Sequence, residues 1–200
     1  MLDLFSGTGS VKKAYSARGY KTVTLDRDHN ADFKVDIMDW DYKKIKPRTF
    51  KVIHASPPCT EYSRAKTTGV RDIAGANKIV RKTLEIIRYF QPDVFIIENP
   101  QTGLLKEQPF MRNIPYADAD YCKYGMPYRK RTRFWSNRAK DFKLKPLCQN
   151  DCGQMDETGK RHKEQAQLAP SKESKDWGHR TQEDLYKIPR GLINDIIDSI

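Results

Sequence analysis

Residues 2–10 read L-D-L-F-S-G-T-G-S, a short apolar stretch followed by a turn rich in glycine and hydroxyl side chains. The apolar residues predict a short β-strand, and residues 11–18 after the turn predict a helix with Ser10 as its N-cap. Gly19 ends that helix, and residues 21–25 (K-T-V-T-L) predict a second strand because they are rich in β-branched side chains. The chain therefore begins with a strand–turn–helix–strand unit.

The same alternation of strands and helices continues along the chain. Residues 50–54 (F-K-V-I-H) predict a strand that ends shortly before two prolines, and residues 93–97 (D-V-F-I-I) predict a strand of the buried type. Between them, residues 76–90 carry apolar side chains at helical spacing. Residues 131–136 predict a late strand, and residues 189–199 predict a final helix. This alternation is typical of an α/β fold with a mostly parallel sheet flanked by helices.

Polar side chains follow four of the predicted strands at the point where each strand ends. They belong to segments 6–10, 57–63 and 98–100 and to Asp26. Ligands of parallel α/β sheets bind beyond the carboxyl ends of the strands. The sequence therefore predicts a ligand site at this edge of the sheet.

The glycine-rich turn resembles a nucleotide-binding loop but has no diagnostic nucleotide-binding motif. Gly7 and Gly9 let the backbone approach a ligand closely, but Lys12 stands where G-x-G-x-x-G requires its third glycine. No G-K-[ST] is present, which excludes a P-loop. Asp26 can accept hydrogen bonds from ribose hydroxyls, and Asp36 can accept one from an adenine amino group. Turn or cap chemistry is the alternative for both carboxylates.

Cys59 directly follows Pro57-Pro58, and the two prolines stiffen the turn that carries its thiol. A thiol attacks as the thiolate, so it needs an electropositive or acid–base neighbourhood. Glu98 at a strand end, with Arg131 and Arg133 on one face of the late strand, can supply that neighbourhood. This combination suits covalent catalysis. The alternative is a packed cysteine beside a structural ion pair of Glu98 with an arginine.

The net charge of +11 arises from 37 Lys and Arg against 26 Asp and Glu, and it is unevenly distributed. Residues 123–145 carry nine basic side chains and one acidic one, whereas residues 1–41 are rich in aspartate. A concentrated basic segment indicates a polyanionic partner, for which we expect DNA, duplex or single-stranded, bound through residues 123–145. A protein that is basic without such a partner is the alternative.

The N-terminal sequence shows no signal peptide, and no apolar run is long enough to span a membrane. We therefore expect a protein that is not secreted and has no membrane partner, in the cytoplasm of a bacterium or of the host cell of a virus or phage. The four cysteines are expected to be reduced thiols in that compartment.

Cys148 and Cys152 form a C-x3-C pair, and His162 follows them, as in part of a zinc site. The spacing shows no clear fourth ligand unless Cys122 or His179 joins. The favoured interpretation is a polar loop with incidental cysteines and no metal.

Taken together, these residues resemble the cytosine-C5 DNA methyltransferase family over residues 3–134. The matching motifs are D-L-F-S-G-T-G-S (3–10), the acidic Asp26, D-I (36–37), P-P-C-T-E-Y-S (57–63), E-N-P (98–100), G-M-P (125–127) and R-T-R-F (131–134). Their order and rough spacing are those of the family. The resemblance implies a Rossmann-like fold with a small C-terminal insertion, and S-adenosyl-L-methionine (SAM) as the cofactor.

The resemblance also implies roles for individual residues. Cys59 would add to C6 of a flipped-out cytosine, Glu98 would share a proton with N3, and Arg131, together with Arg133, would stabilise charge on the ring. Ser63 and Asn99 would contact the substrate. The implied cofactor-binding residues are Asp3, Phe5, Ser6, Gly7, Thr8, Gly9, Asp26, Asp36, Ile37 and Pro57.

The sequence departs from the family pattern in several places. Arg129 replaces a glutamine, the interval from G-M-P to R-T-R is one residue longer than usual, and E-N-P replaces E-N-V. We expect a SAM-binding catalytic domain at 1–138, a short polar insertion at 139–180 as a reduced target-recognition region, and a C-terminal helix at 181–200 packing back on the catalytic domain. The insertion is short, which predicts a short or relaxed recognition sequence. An RNA cytosine-C5 methyltransferase and a catalytically weak SAM- or DNA-binding module that needs a partner are the alternatives.

Overall fold

The computed structural model describes residues 1–166 and 182–200, which form a seven-stranded sheet flanked by helices. The strands are β1 Leu2–Leu4, β2 Val23–Asp26, β3 Phe33–Lys34, β4 Val52–Ala55, β5 Val94–Pro100, β6 Tyr116–Asp120 and β7 Arg131–Trp135. The α-helices are α1 Ser10–Ser16, α2 Ile73–Phe90, α3 Gln182–Tyr186 and α4 Arg190–Ile197. None of the helices within these residues is both long and apolar enough to cross a bilayer.

The sheet order is β3-β2-β1-β4-β5-β7-β6. Neighbouring strands from β3 to β5 are parallel, and β7 is antiparallel to both β5 and β6. Helix α1 connects β1 to β2, and α2 connects β4 to β5, so these are crossover connections between parallel strands. The predicted α/β class with a mostly parallel sheet is confirmed.

The central strands are buried on both sides, and an apolar core lies on each face of the sheet. Ile53 and Ile97 join the core under α2, whereas their chain neighbours Val52 and Ile96 join the core under α1 and α4. This alternation follows from the two-residue period of a strand. Full burial of each such side chain stabilises the fold by about 1.5–3 kcal/mol relative to exposure. The two cores hold the strand ends that carry the site.

The helix ends explain two differences from the expected boundaries. Helix α2 begins three residues earlier than position 76, because Asp72 accepts a hydrogen bond from Gly75 N–H (2.7 Å) and caps it. The expectation that Ser10 caps α1 is wrong. Gly9 precedes the helix with φ 74° and no side chain caps it, while the Ser10 hydroxyl accepts a hydrogen bond from Ile188 N–H (3.4 Å). Ser10 therefore ties the C-terminal segment to the glycine-rich turn.

Strand β6 was not expected from the sequence. It reads Y-A-D-A-D, and it pairs with β7 so that Asp118 faces Arg133 and Asp120 faces Arg131. The predicted insertion at 139–180 lies within the described residues only as far as residue 166. There it contains a short helical turn at Ala139–Asp141 and an isolated bridge between Met155 and His162.

Candidate active site

A cavity of about 340 Å³ lies at the carboxyl ends of β1, β2, β4 and β5. Twelve of the predicted site residues line it: Asp3, Phe5, Ser6, Gly7, Thr8, Asp26, Asp36, Ile37, Pro57, Cys59, Glu98 and Asn99. The structure therefore brings the predicted cofactor loop, the thiol and the carboxylate of Glu98 into one cavity. Gly9, Ser63, Arg131 and Arg133 are not in its wall.

The turn after β1 is held in an unusual backbone conformation. Phe5 has φ 62°, and Gly7 and Gly9 have φ 47° and 74°. Positive φ is rare for a bulky side chain such as phenylalanine and marks local strain, which often occurs at ligand sites. The Gly7 N–H donates to Asp26 Oδ2 (2.8 Å), which fixes the turn against the end of β2.

Asp26 is a hydrogen-bond acceptor for the loop that follows β2. Its Oδ1 accepts from the N–H groups of Asp28 and His29, each at 2.9 Å, and its Oδ2 accepts from Gly7. Burial opposes its charge, but the backbone hydrogen bonds from His29, Gly7 and Asp28 together lower its pKa. Asp26 is therefore ionised at neutral pH. Among the described residues Oδ2 accepts one hydrogen bond, from Gly7, so it can accept another from a ligand hydroxyl.

Asp3 is a buried carboxylate, and among residues 1–166 and 182–200 neither of its oxygens has a partner at full hydrogen-bond geometry, although the Lys12 backbone lies close enough to act on its pKa. Burial raises its pKa to about 8; the Lys12 backbone opposes this rise and the Asp26 charge adds to it. A buried carboxylate without a partner is costly once it is ionised. Because Asp3 lines the cavity, a cationic group bound there can pair with it.

Cys59 lies where the cavity opens to the surface. The Asn99 amide donates to the Pro57 carbonyl (2.9 Å), so the end of β5 holds the turn that carries the thiol. This contact assigns Asn99 a positioning role beside its place in the cavity wall. Burial raises the pKa of Cys59, the Glu98 charge raises it further, and the Lys130 charge lowers it. The resting group is therefore the thiol.

Two residues that the sequence analysis did not name as site residues act on the catalytic candidates. The Tyr121 hydroxyl donates to Glu98 Oε1 (3.1 Å) inside the protein. Lys130 lines the cavity, donates to the Leu185 carbonyl (2.7 Å), and lies 5.1 Å from the centre of the Tyr121 ring. Lys130 belongs to the predicted basic segment, which was the available signal. The sequence carries no local signal for Tyr121.

The two predicted catalytic arginines have different surroundings. Arg131 donates from Nε and Nη2 to Asp120 (3.0 and 2.7 Å). Arg133 donates to Asp118 in the same way (2.7 and 2.8 Å), and its guanidinium stacks over the Tyr116 ring at 3.5 Å. The expectation that both arginines join Cys59 is not met for Arg133, because Asp118 and Tyr116 hold it away from the site.

A wider surface channel, the basic groove, adjoins the cavity and shares Cys59, Thr60 and Lys130 with it. Two of the four predicted residues that are absent from the cavity, Ser63 and Arg131, lie in the wall of this groove. Its Lys and Arg residues come from three segments of the chain: Arg64 and Lys66; Arg129, Lys130 and Arg131; and Lys160, Arg161 and Lys163. The cavity thus opens into a groove suited to a polyanion.

The mostly parallel sheet with its flanking helices is a Rossmann-like fold. The structure is similar to that of an E. coli protein described as a "putative DNA modification methyltransferase encoded within prophage", with a TM-score of 0.52 and 18% sequence identity. The match covers 68% of this chain and 45% of that chain, so this chain spans less than half of that protein.

Residues 1–109 match the family model for C-5 cytosine-specific DNA methylase. The chain is also 35% identical over 214 residues to a protein of Frog virus 3 (isolate Goorha) named "Probable DNA (cytosine-5)-methyltransferase", and the match covers 99% of this chain and 98% of that protein. The chain belongs to the C-5 cytosine-specific DNA methylase family. It is therefore an enzyme of the DNA (cytosine-5)-methyltransferase class, whose members depend on SAM in general.

The cavity residues fit SAM. SAM carries an ammonium and a sulfonium, and the orphaned Asp3 carboxylate offers a buried anion to a cation. The glycine-rich turn allows close approach of a ligand to the backbone, because Gly7 and Gly9 carry no Cβ. Their positive φ would also strain any other residue at these positions.

Proposed function

We propose that this protein methylates C5 of cytosine in DNA through a covalent bond between Cys59 and C6 of a flipped-out base. The observation that carries the proposal is that Cys59 and Glu98 line one cavity, which opens at Cys59 into the basic groove. SAM would occupy the cavity and the target base would enter from the groove. Cys59 stands at the boundary between the two.

The chemistry of the base explains why these residue types are needed. Cytosine C5 is a weak nucleophile, and addition of the Cys59 thiolate to C6 makes the ring an enamine. Glu98 near N3 shares a proton with the ring as negative charge develops. SAM supplies the electrophilic methyl group that C5 takes up. The transfer leaves S-adenosyl-L-homocysteine, a base then removes the C5 proton, and β-elimination breaks the C6–Sγ bond and releases the Cys59 thiolate.

The surroundings of the thiol support this assignment. A thiol with a raised pKa must lose its proton before it attacks. Lys130 is the positive charge that favours the thiolate, and the Tyr121 hydroxyl orients the carboxylate of Glu98. Arg131, held by Asp120 in the wall of the groove, is the donor for O2 of the base.

We assign the cofactor contacts to the same cavity. Phe5 packs on the adenine, Asp36 accepts from its amino group, and Asp26 accepts from the ribose through its free Oδ2 position. Asp3 pairs with the cationic methionine end. His29 and Asp28 add to the wall of this part of the cavity and shape it through their bonds to Asp26.

DNA binding is assigned to the basic groove, because neutralising phosphates is the main source of affinity for DNA. The predicted basic segment 123–145 contributes Arg129, Lys130 and Arg131, and the short insertion adds residues 160–163. The target atom is inaccessible within a duplex, so the base must leave the stack. We keep the division into a catalytic part at 1–138 and a reduced recognition region at 139–180 as part of this proposal.

The test uses SAM labelled in its methyl group with duplex DNA, single-stranded DNA and tRNA, followed by mapping of the modified base. We expect 5-methylcytosine in DNA. Label transfer to tRNA alone would overturn the DNA assignment and favour the RNA alternative. DNA containing 5-fluorocytosine should trap a covalent complex with the wild-type protein and none with Cys59→Ser. A Cys59→Ser variant that methylates at the wild-type rate would overturn the covalent step.

A further inference from the structure

Four potential metal ligands outside the active site converge on one point. They are the sulfurs of Cys122, Cys148 and Cys152 and a ring nitrogen of His162, and these atoms all lie within 4.8 Å of one another. His162 Nε2 lies 3.5 Å from Cys148 Sγ and 3.3 Å from Cys152 Sγ. Cys122 is the fourth ligand that the spacing of the C-x3-C pair did not reveal. The alternative candidate His179 lies outside the described residues.

The four ligands come from three parts of the chain. Cys122 lies in the helical turn Tyr121–Tyr124 directly after β6. Cys148 and Cys152 flank a polar loop, and His162 pairs with Met155 across a small bridge. Local sequence alone cannot gather side chains over such separations. All three thiols are free, and Cys122 and Cys148 are buried.

We propose that Cys122, Cys148, Cys152 and His162 bind one structural Zn²⁺ ion. Zinc in structural sites is tetrahedral, with Zn–S and Zn–N bonds that place sulfur–sulfur pairs about 3.8 Å and sulfur–nitrogen pairs about 3.5 Å apart. The observed sulfur–nitrogen distances match that geometry. Three thiolates and one imidazole are a Cys₃His set, which zinc favours over hard cations such as Mg²⁺. The four protein ligands leave no open position, so the site is structural.

The proposed site is connected to the active site through Asp120. Asp120 Oδ2 accepts from Cys148 N–H (2.9 Å) and also binds Arg131. His162 lies in the wall of the basic groove beside Arg161 and Lys163. The metal would thus link the short insertion to the turn after β6. The insertion has few apolar side chains to bury, so the metal would supply the stability that keeps this wall of the basic groove in place.

The direct test measures the metal content of the full chain by inductively coupled plasma mass spectrometry after purification without chelators. We expect about one zinc ion per chain. Cys148→Ser and Cys152→Ser should each lose most of the zinc. Cys59→Ser is the matched control, because it removes a thiol outside the cluster, and it should keep the zinc. A wild-type chain without zinc, or equal zinc in Cys59→Ser and Cys152→Ser, would overturn the proposal.

A second measurement keeps the test decisive if the serine variants fail to fold. His162→Cys should retain zinc, since a thiolate can replace the imidazole in a Cys₄ site. Co²⁺ added to the zinc-depleted wild type should give the visible absorption of tetrahedral thiolate coordination, and zinc should displace it. Octahedral Co²⁺ absorption, or a disulfide among the three cysteines in the freshly purified chain, would count against the site. Neither SAM nor DNA is present, so the outcome is independent of the proposed methyl transfer.

Discussion

The Asp120 carboxylate binds Arg131 through two parallel hydrogen bonds of 3.0 and 2.7 Å, and the same carboxylate accepts a third from Cys148 N–H. The Asp120 side chain is fully buried at the end of β6, whereas the Arg131 side chain is 31% exposed, so the ion pair lies at the boundary between the protein interior and the groove. The pair fixes the direction of Arg131 at the groove. The neighbouring pair, Asp118 with Arg133, lies two residues further along the same two strands and has the same bidentate geometry. It does not line the groove.

The two pairs give a matched test of the arginine roles. Arg131→Lys should lower kcat by about 10²–10³, because lysine cannot reproduce a bidentate donor and the loss of one aimed donor has that cost. Arg133→Lys should lower the melting temperature with a much smaller effect on kcat. Steady-state kinetics with thermal unfolding distinguish the two. Equal losses of kcat in both variants would contradict the separate roles.

The pH dependence of the rate should reflect the raised pKa of Cys59. Because the thiol is protonated at rest, the methylation rate should rise as the pH increases through the neutral range. Lys130→Met removes the charge that lowers the Cys59 pKa, so its pH–rate profile should move to higher pH, with the rate recovering in alkaline buffer.

Lys51→Met is the control for Lys130→Met, because Lys51 is exposed and precedes β4 at the opposite end of the sheet. Its profile should coincide with that of the wild type. A Lys130→Met profile that loses rate equally at every pH would instead indicate a loss of structure or of binding.

Local patterns predicted the parallel part of the sheet because those strands are recognisable from their own residues. β4 and the first four residues of β5 are rich in apolar and β-branched side chains and are followed by Pro or polar residues, and the glycine-rich turn marks the end of β1. β6 has no such signature: alternating Asp residues are unfavourable in an isolated strand. Its stability comes from pairing with Arg131 and Arg133 on β7, which a single segment cannot show.

The same limit applies to the active site. The order of motifs predicted that Cys59 and Glu98 share a site, since both follow neighbouring parallel strands. It did not predict the contact of Tyr121 with Glu98, which depends on the position of the turn after β6. It also could not predict that Arg133 points to Asp118, or that Cys122 meets a C-x3-C pair far along the chain.

Asp3 should couple SAM binding to pH. With a pKa of about 8, Asp3 is protonated in most molecules at neutral pH, and it must lose that proton to pair with a cation. SAM affinity should therefore increase by up to about tenfold per pH unit between roughly pH 5.5 and 7.5, where the ammonium of SAM stays charged. Titration calorimetry in buffers of different ionisation enthalpy would detect the released proton.

The variant Asp3→Asn separates this effect from general pH dependence. It should bind SAM about tenfold more weakly near neutral pH, with no proton release from this site. Stability gives an independent readout. Below pH 3.8 Asp3 is protonated in both the folded and the unfolded protein and does not reduce stability. As the pH rises from 3.8 to about 8, the unfolded chain releases this proton more readily than the folded protein does, so stability falls. Asp3→Asn should remove this part of the pH dependence. Asp3→Asn with wild-type affinity and wild-type proton release would refute the assignment.

DNA affinity should depend on salt through the basic groove. Arg161 and Lys163 are exposed in its wall, so Arg161→Gln or Lys163→Gln should each reduce the slope of log K against log salt concentration by roughly 0.9, if each contacts one phosphate of a duplex. Lys51→Gln, at the far end of the sheet, should leave the slope unchanged. Fluorescence anisotropy over a series of salt concentrations measures all three.

Phosphate contacts position DNA without reading its sequence, so the loss should be similar for cytosine-containing duplexes of unrelated sequence. A loss confined to one sequence would show that this short insertion reads bases, and an unchanged slope would move the DNA away from the groove.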